Sequence, residues 1–76
     1  MATKLDKQRA AIARRLKELR IERGYTSYEK FANEHELDRK QYWRIEENET
    51  NFTINSLLRI LDIHKISLED FFKGFK

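Results

Sequence analysis

The chain has 76 residues, 39% hydrophobic and 38% charged, which is enough apolar surface for one small core and too much charge for any helix to be buried all round. It contains no cysteine, which excludes a disulfide framework and a thiolate metal site, and with no proline and only two glycines it suits short helices better than a series of hairpins. No apolar run of about 18 residues exists, so no spanning helix is expected; the polar start MATKLDKQRA lacks the apolar core of a signal peptide, and a cytoplasmic location is expected.

The net charge of +3 hides an asymmetry. Residues 1–23 hold eight bases (Lys4, Lys7, Arg9, Arg14, Arg15, Lys17, Arg20, Arg23) against three acids (Asp6, Glu18, Glu22), so the rest of the chain carries −2. Within this basic segment Ile12, Leu16 and Leu19 follow helical spacing and should bury, turning Arg9, Arg14, Arg15 and Lys17 outward. Such a face is either a solubilising surface or one whose Arg9 or Arg14 touches phosphate and adds sequence-independent, salt-sensitive affinity.

A second helix is expected after Ser27, whose hydroxyl can accept from a free amide of the first turn, with Thr26 able to do the same one residue earlier. Its apolar residues Tyr28, Phe31 and Ala32 share one face. After a break, Asp38 stands where an N-cap belongs, and a third helix should run from about Arg39 to Glu47 with Leu37, Tyr42 and Ile45 on its buried side. Arg39 and Trp43 are four apart, as are Lys40 and Arg44, which puts these four on the opposite face. Either Trp43 packs on a neighbouring helix and the bases are solvated, or the four act together on DNA. Arginine and lysine can donate to guanine O6 and N7 in the major groove, and an aromatic edge can meet a thymine methyl. A helix N-terminus also suits phosphate, which favours the end carrying Arg39 and Lys40.

Further on, Thr53 can cap a fourth helix whose Ile54, Leu57, Leu58 and Leu61 form a wide apolar stripe. Ser67 opens a shorter fifth segment, with Glu69 and Asp70 in its first turn where the helix dipole favours acids. Phe71, Phe72 and Phe75 then crowd the C-terminus, more aromatic surface than a small helical domain easily hides. The surplus, Phe72 or Phe75 with Leu58, is expected to form a symmetric homodimer contact.

From roughly Arg14 to Phe72 the chain resembles the lambda-repressor and Cro-like helix-turn-helix proteins, also called the XRE family. The resemblance rests on Leu19-Arg20 and Gly24, Ser27 with Phe31-Ala32, Leu37-Asp38, Ile45-Glu46, Phe52-Thr53-Ile54, Leu57-Leu58 with Ile60, and Ile66-Ser67-Leu68 with Phe71, in this order and spacing. It implies an all-α fold: a compact five-helix lambda-repressor-like DNA-binding domain over residues 1–76, with a helix-turn-helix formed by helices 2 and 3, a frayed start at 1–5 and a tail at 74–76. It implies a sequence-specific transcriptional regulator, a repressor, that binds double-stranded DNA as a homodimer on a palindromic operator.

Residue by residue, the resemblance puts Arg39, Lys40 and Arg44 at the base-reading positions, beside Trp43, with Gln41 turned toward the DNA backbone and Tyr28 where the family often has a phosphate-contacting glutamine. Ser27, Arg14, Asn48, Thr50 and Asn51 are the other expected backbone contacts. Arg20 and Glu46 fall where many members pair an arginine of helix 1 with a glutamate ending the recognition helix; such a pair is worth roughly 3–5 kcal/mol against loss of one partner if fully buried and about 0–1 kcal/mol if it lies loose on the surface. Glu36 stands where the family usually has glycine, at a position that often needs positive φ, which costs an ordinary residue roughly 1–2 kcal/mol and would loosen the turn. Asn48 replaces the glycine after the recognition helix and tolerates the left-handed conformation.

Catalysis is not expected. His35 and His64 lie far apart in sequence and outside any HExxH spacing, His35 reading as an exposed helix-end residue and His64 as a surface or half-buried neighbour of Ile63. Ser27, Ser56 and Ser67 all stand at or near helix starts, where capping explains them, and there is no glycine-rich phosphate loop. No metal and no cofactor is expected. The alternative to a regulator is an antitoxin-like or adaptor module, in which the basic helix and aromatic tail hold a protein partner and DNA binding is secondary.

Overall fold

Serine, aspartate and threonine side chains start the middle three helices. In the computed structural model, which describes residues 4–49 and 52–73, Ser27 Oγ accepts from the Lys30 amide at 3.3 Å, Asp38 Oδ1 from Gln41 at 2.8 Å and Thr53 Oγ1 from Ser56 at 3.0 Å. Ser67 Oγ accepts from Asp70 at 3.0 Å, just before the last helix. Each oxygen satisfies an amide that the helix leaves without a carbonyl partner. The elements are α1 (Lys4–Glu22), α2 (Tyr28–Glu34), α3 (Arg39–Glu46), α4 (Ile54–Ile63) and α5 (Leu68–Lys73), with no strand among the described residues. The fold is all-α, with α2 and α3 as the helix-turn-helix. Lys4 and Leu5, expected frayed, belong to α1. Among the described residues no helix is long and apolar enough to cross a membrane.

The first four helices end in the same way. After α1, α2, α3 and α4 the chain passes through a left-handed residue, Gly24 (φ 92), Glu36 (φ 57), Asn48 (φ 58) and Lys65 (φ 55). At α3, Asn48 N–H donates to the Ile45 carbonyl and Glu49 N–H to that of Arg44; at α2, Glu36 and Leu37 donate to Asn33 and Ala32. This paired closure satisfies the last carbonyls and turns the chain sharply. Only Gly24 adopts the conformation without steric cost.

The core is built from Leu16 and Leu19 of α1, Phe31 and Ala32 of α2, Tyr42 and Ile45 of α3, Leu57, Ile60 and Leu61 of α4, and Phe71 of α5. Ile12 is only half-buried. The apolar stripe expected on α4 is rotated: Leu57, Ile60 and Leu61 are inside, whereas Ile54 and Leu58 stay exposed. Residues at i, i+3 and i+4 define one face, and Ile60, three after Leu57, draws that face away from Ile54 and Leu58. On α1, Arg9 and Arg15 are half-buried and lie along the helix in ion pairs, Arg9 with Asp6 and Arg15 with Glu18 and Glu22, so Arg14 and Lys17 are the residues of that expected outward set that stand fully exposed.

Both histidines border the core on Phe31. The His64 ring stacks on it with centroids 5.2 Å apart and planes at 11°, while His35, expected to be exposed, is half-buried, tilted against Phe31 at 4.7 Å and edge-on to Tyr25 at 5.9 Å. His35 is four residues after Phe31 on the same side of the helix, which draws it inward. Burial first, then the positive charge of Arg23 and the His35 ring, push the His64 pKa down from 6.5 to about 4, against the opposing pull of Glu22 and Glu46.

Protonating His64 therefore opposes folding. The stability of the neutral ring is fully present above about pH 6.5 and is lost as the pH falls towards 4, about 1–2 kcal/mol once the incomplete burial of the residue is allowed for. Urea unfolding should show a midpoint that falls between about pH 7 and about pH 4.5, and His64→Phe, which keeps the stack, should reduce that fall.

Candidate nucleic-acid interface

The recognition-type helix α3 buries Tyr42, Ile45 and Glu46 and leaves Arg39, Lys40, Gln41 and Arg44 exposed. Trp43 is half-buried and lies outside the set of residues packed on the core, at the margin of this exposed face. Arg39, Lys40, Trp43 and Arg44 thus share the side turned from the hydrophobic interior. Gln41 lies apart from them, bordering a shallow cleft between α3 and α4 with Asp38, Tyr42, Ser56 and Arg59.

What holds α3 in place is an ion pair on its buried side. Arg20 of α1 is 4% exposed and Glu46 is 7% exposed. Arg20 Nε donates to Glu46 Oε2 at 2.8 Å and Nη2 to Oε1 at 3.1 Å, a fork-to-fork contact, while Nη1 donates to the Tyr25 carbonyl at 2.7 Å. Burial alone would lower the Arg20 pKa, but the Glu46 carboxylate outweighs it and holds the pKa above the ordinary arginine value. Burial, and then the same carboxylate, push the Tyr42 phenol well above the usual tyrosine range, so Tyr42 is a neutral member of this cluster.

The turn is held from below. Arg59 of α4 donates from Nη2 to the Glu36 carbonyl at 3.0 Å, and the Leu37 amide donates to the Ala32 carbonyl at 2.8 Å. Glu36 has itself adopted the left-handed conformation, with these two hydrogen bonds closing the turn on either side of it. At the helix N-terminus expected to attract phosphate, the Asp38 carboxylate accepts from the Gln41 amide.

Of the residues expected at the DNA backbone, Arg14 and Asn48 are exposed, and Tyr28 is half-buried with its ring packed on the core. Ser27 is half-buried and its hydroxyl caps α2. Thr50 and Asn51 lie outside the described residues, as does Phe75. Three residues with a part in this surface carried no local sequence signal: Arg59, Tyr25 through its carbonyl, and Glu29, which accepts from Arg39 Nη1 at 3.2 Å. Each acts across a separation in sequence that only folding closes. Among the described residues no group of three or more histidines and carboxylates is placed to hold a metal ion.

A family model described as a helix-turn-helix domain matches residues 13–75. The chain belongs to this family of helix-turn-helix domains, which makes DNA its supported partner class. No curated protein and no solved structure matches the chain.

The left-handed Glu36 is a test of how the turn is held. Glu36→Gly should raise stability to urea by about 1 kcal/mol, because glycine reaches positive φ without the steric cost while the carbonyl that Arg59 holds remains.

Proposed function

We propose that the protein is a sequence-specific double-stranded DNA-binding transcriptional regulator of the lambda-repressor and Cro-like (XRE) type, a repressor that inserts α3 into the major groove. The observation that carries this reading is the division of α3 into a side locked to α1 by Arg20–Glu46 and an exposed side bearing Arg39, Lys40 and Arg44. Those three donors suit guanine O6 and N7, and the half-buried Trp43 beside them offers an apolar edge to a thymine methyl. Ser27, Tyr28, Gln41, Asn48 and Arg14 would meet sugar and phosphate around this helix, together with Thr50 and Asn51.

The regulator acts as a homodimer through Leu58 of α4 and Phe72 of α5, with Phe75 beyond them. Leu58 is 42% and Phe72 38% exposed, on two helices that contact each other. Large apolar side chains left open on neighbouring elements favour a self-complementary contact. Two copies related by a two-fold axis would present their recognition helices about 34 Å apart and read a palindrome. Occupying the operator is then sufficient to repress.

Selection from random duplexes should enrich a palindromic site, and titration should show it bound more tightly than a scrambled duplex at two salt concentrations. Arg44→Ala should cost about 1–3 kcal/mol on that site and relax discrimination at one base pair, whereas Arg14→Ala should weaken all sequences alike and flatten the salt dependence. Equal affinity for enriched and scrambled duplexes refutes base reading. Sedimentation should show a dimer at high micromolar concentration that Leu58→Glu dissociates; a wild-type monomer there rules out the Leu58–Phe72 contact.

A further inference from the structure

Arg39 is the one base on the exposed side of α3 that an acid already holds. Its Nη1 lies 3.2 Å from Oε2 of Glu29, with the two side chains 54% and 51% exposed. Among the described residues neither Lys40 nor Arg44 makes an ion pair or a side-chain hydrogen bond. Glu29 belongs to the first turn of α2 and Arg39 is the first residue of α3, so the contact bridges the two helices of the motif at its open surface. Both helix starts are fixed by caps, Ser27 on Lys30 and Asp38 on Gln41. The turn between them is pinned by Arg59. The two side chains therefore meet from helix starts whose backbone is hydrogen-bonded on both sides of the turn.

A carboxylate beside a surface that approaches DNA is unfavourable to every phosphate near it, and no fold requirement calls for it here, since the pair is solvent-exposed and adds little to stability. Its effect lies in what it does to Arg39. The guanidinium has five N–H donors in a rigid plane, and the observed contact uses Nη1 alone, which leaves the other edge of the fork for an acceptor pair such as guanine O6 and N7. An arginine paired in this way is biased toward one orientation before contact and against swinging to whichever phosphate lies nearest, by the modest amount of an exposed ion pair. Where the base pair offers no guanine edge, Arg39 returns nothing, while the Glu29 charge still repels the backbone. Discrimination of this kind comes from weakening the wrong complexes as much as from strengthening the right one.

We propose that Glu29, through its ion pair with Arg39, is a specificity-determining positioning residue: it aims the Arg39 guanidinium at a guanine and penalises duplexes that lack one at that position. This rests on the reading that α3 contacts base pairs. It adds to that reading an acidic residue on the preceding helix which lowers overall affinity and raises selectivity.

The test is a double-mutant cycle on the full chain, with wild type, Glu29→Gln, Arg39→Ala and the double variant titrated against the selected duplex, its single base-pair variants and a scrambled duplex. Thermal melting by circular dichroism checks that all four fold, as expected for exposed side chains. Glu29→Gln should tighten binding to the scrambled duplex and reduce discrimination by about threefold to fivefold, the scale of an exposed ion pair, at the one base pair that Arg39 reads. In the Arg39→Ala background the same change should leave discrimination at every position as it was. Uniform tightening on all duplexes, or the same relaxation with Arg39 absent, overturns the proposal. A wild-type protein that does not distinguish the selected duplex from the scrambled one fails base reading itself and removes this inference with it, a result visible before any variant is measured.

Discussion

The arrangement of α3 depends on one buried contact, the fork of Arg20 against the carboxylate of Glu46. Two charges taken out of water gain from each other only when geometry is close and the remaining donors are satisfied. Here both conditions hold, since Nε and Nη2 meet the two carboxylate oxygens and Nη1 meets the Tyr25 carbonyl. The contact ties the end of α1, the loop after it and the end of α3 into one unit. Loss of either partner would strand a charge at a cost of roughly 3–5 kcal/mol, a large share of what a domain of this size can have. The buried Tyr42 and Ile45 turn one face of α3 to the core, and the fork acts on the same side of the helix. Together they leave Arg39, Lys40 and Arg44 on the exposed side.

A second set of constraints positions the start of α3. The α2–α3 turn passes through a left-handed glutamate rather than glycine, held by the Leu37 amide on one side and by Arg59 on the other. Arginines thus serve opposite ends of α3 from beneath, Arg20 from α1 and Arg59 from α4, while those on its outer surface stay available. Charge is distributed by role rather than by amount. Of the bases at the start of the chain, Arg9 and Arg15 lie against Asp6, Glu18 and Glu22 along α1, and Arg20 turns inward to Glu46. The bases on α3 are few, and of these Arg39 is shared with Glu29.

The features readable from the sequence are those decided within one helical turn. Caps at Ser27, Asp38, Thr53 and Ser67 were legible because the oxygen and the amide it accepts from are three residues apart. The individual helices were legible because apolar spacing of three and four repeats along each segment, and the resemblance carried by those residues implied the all-α class and the helix-turn-helix. His35 was misread because the attraction of Phe31 for a ring one turn away depends on Phe31 being fully buried, which local spacing does not state. The outer position of Ile54 was not legible for a related reason: the spacing of Ile54, Leu57, Leu58 and Leu61 is as good a face as that of Leu57, Ile60 and Leu61. Contact with α5 and with the rest of the core chooses between them.

The sequence by itself thus determined where helices begin, which class of fold they build and which residues of α3 lie opposite Tyr42 and Ile45. The pairing of Arg20 with Glu46 was anticipated through the family resemblance, whereas tertiary structure alone decided the other partners of the charged groups around α3: Arg20 with the Tyr25 carbonyl, Arg59 with the Glu36 carbonyl, Arg39 with Glu29. Helix starts and faces follow from the short-range geometry of the backbone. A long side chain such as arginine reaches several acceptors of similar strength, and only the packing of whole helices brings one of them within hydrogen-bonding distance.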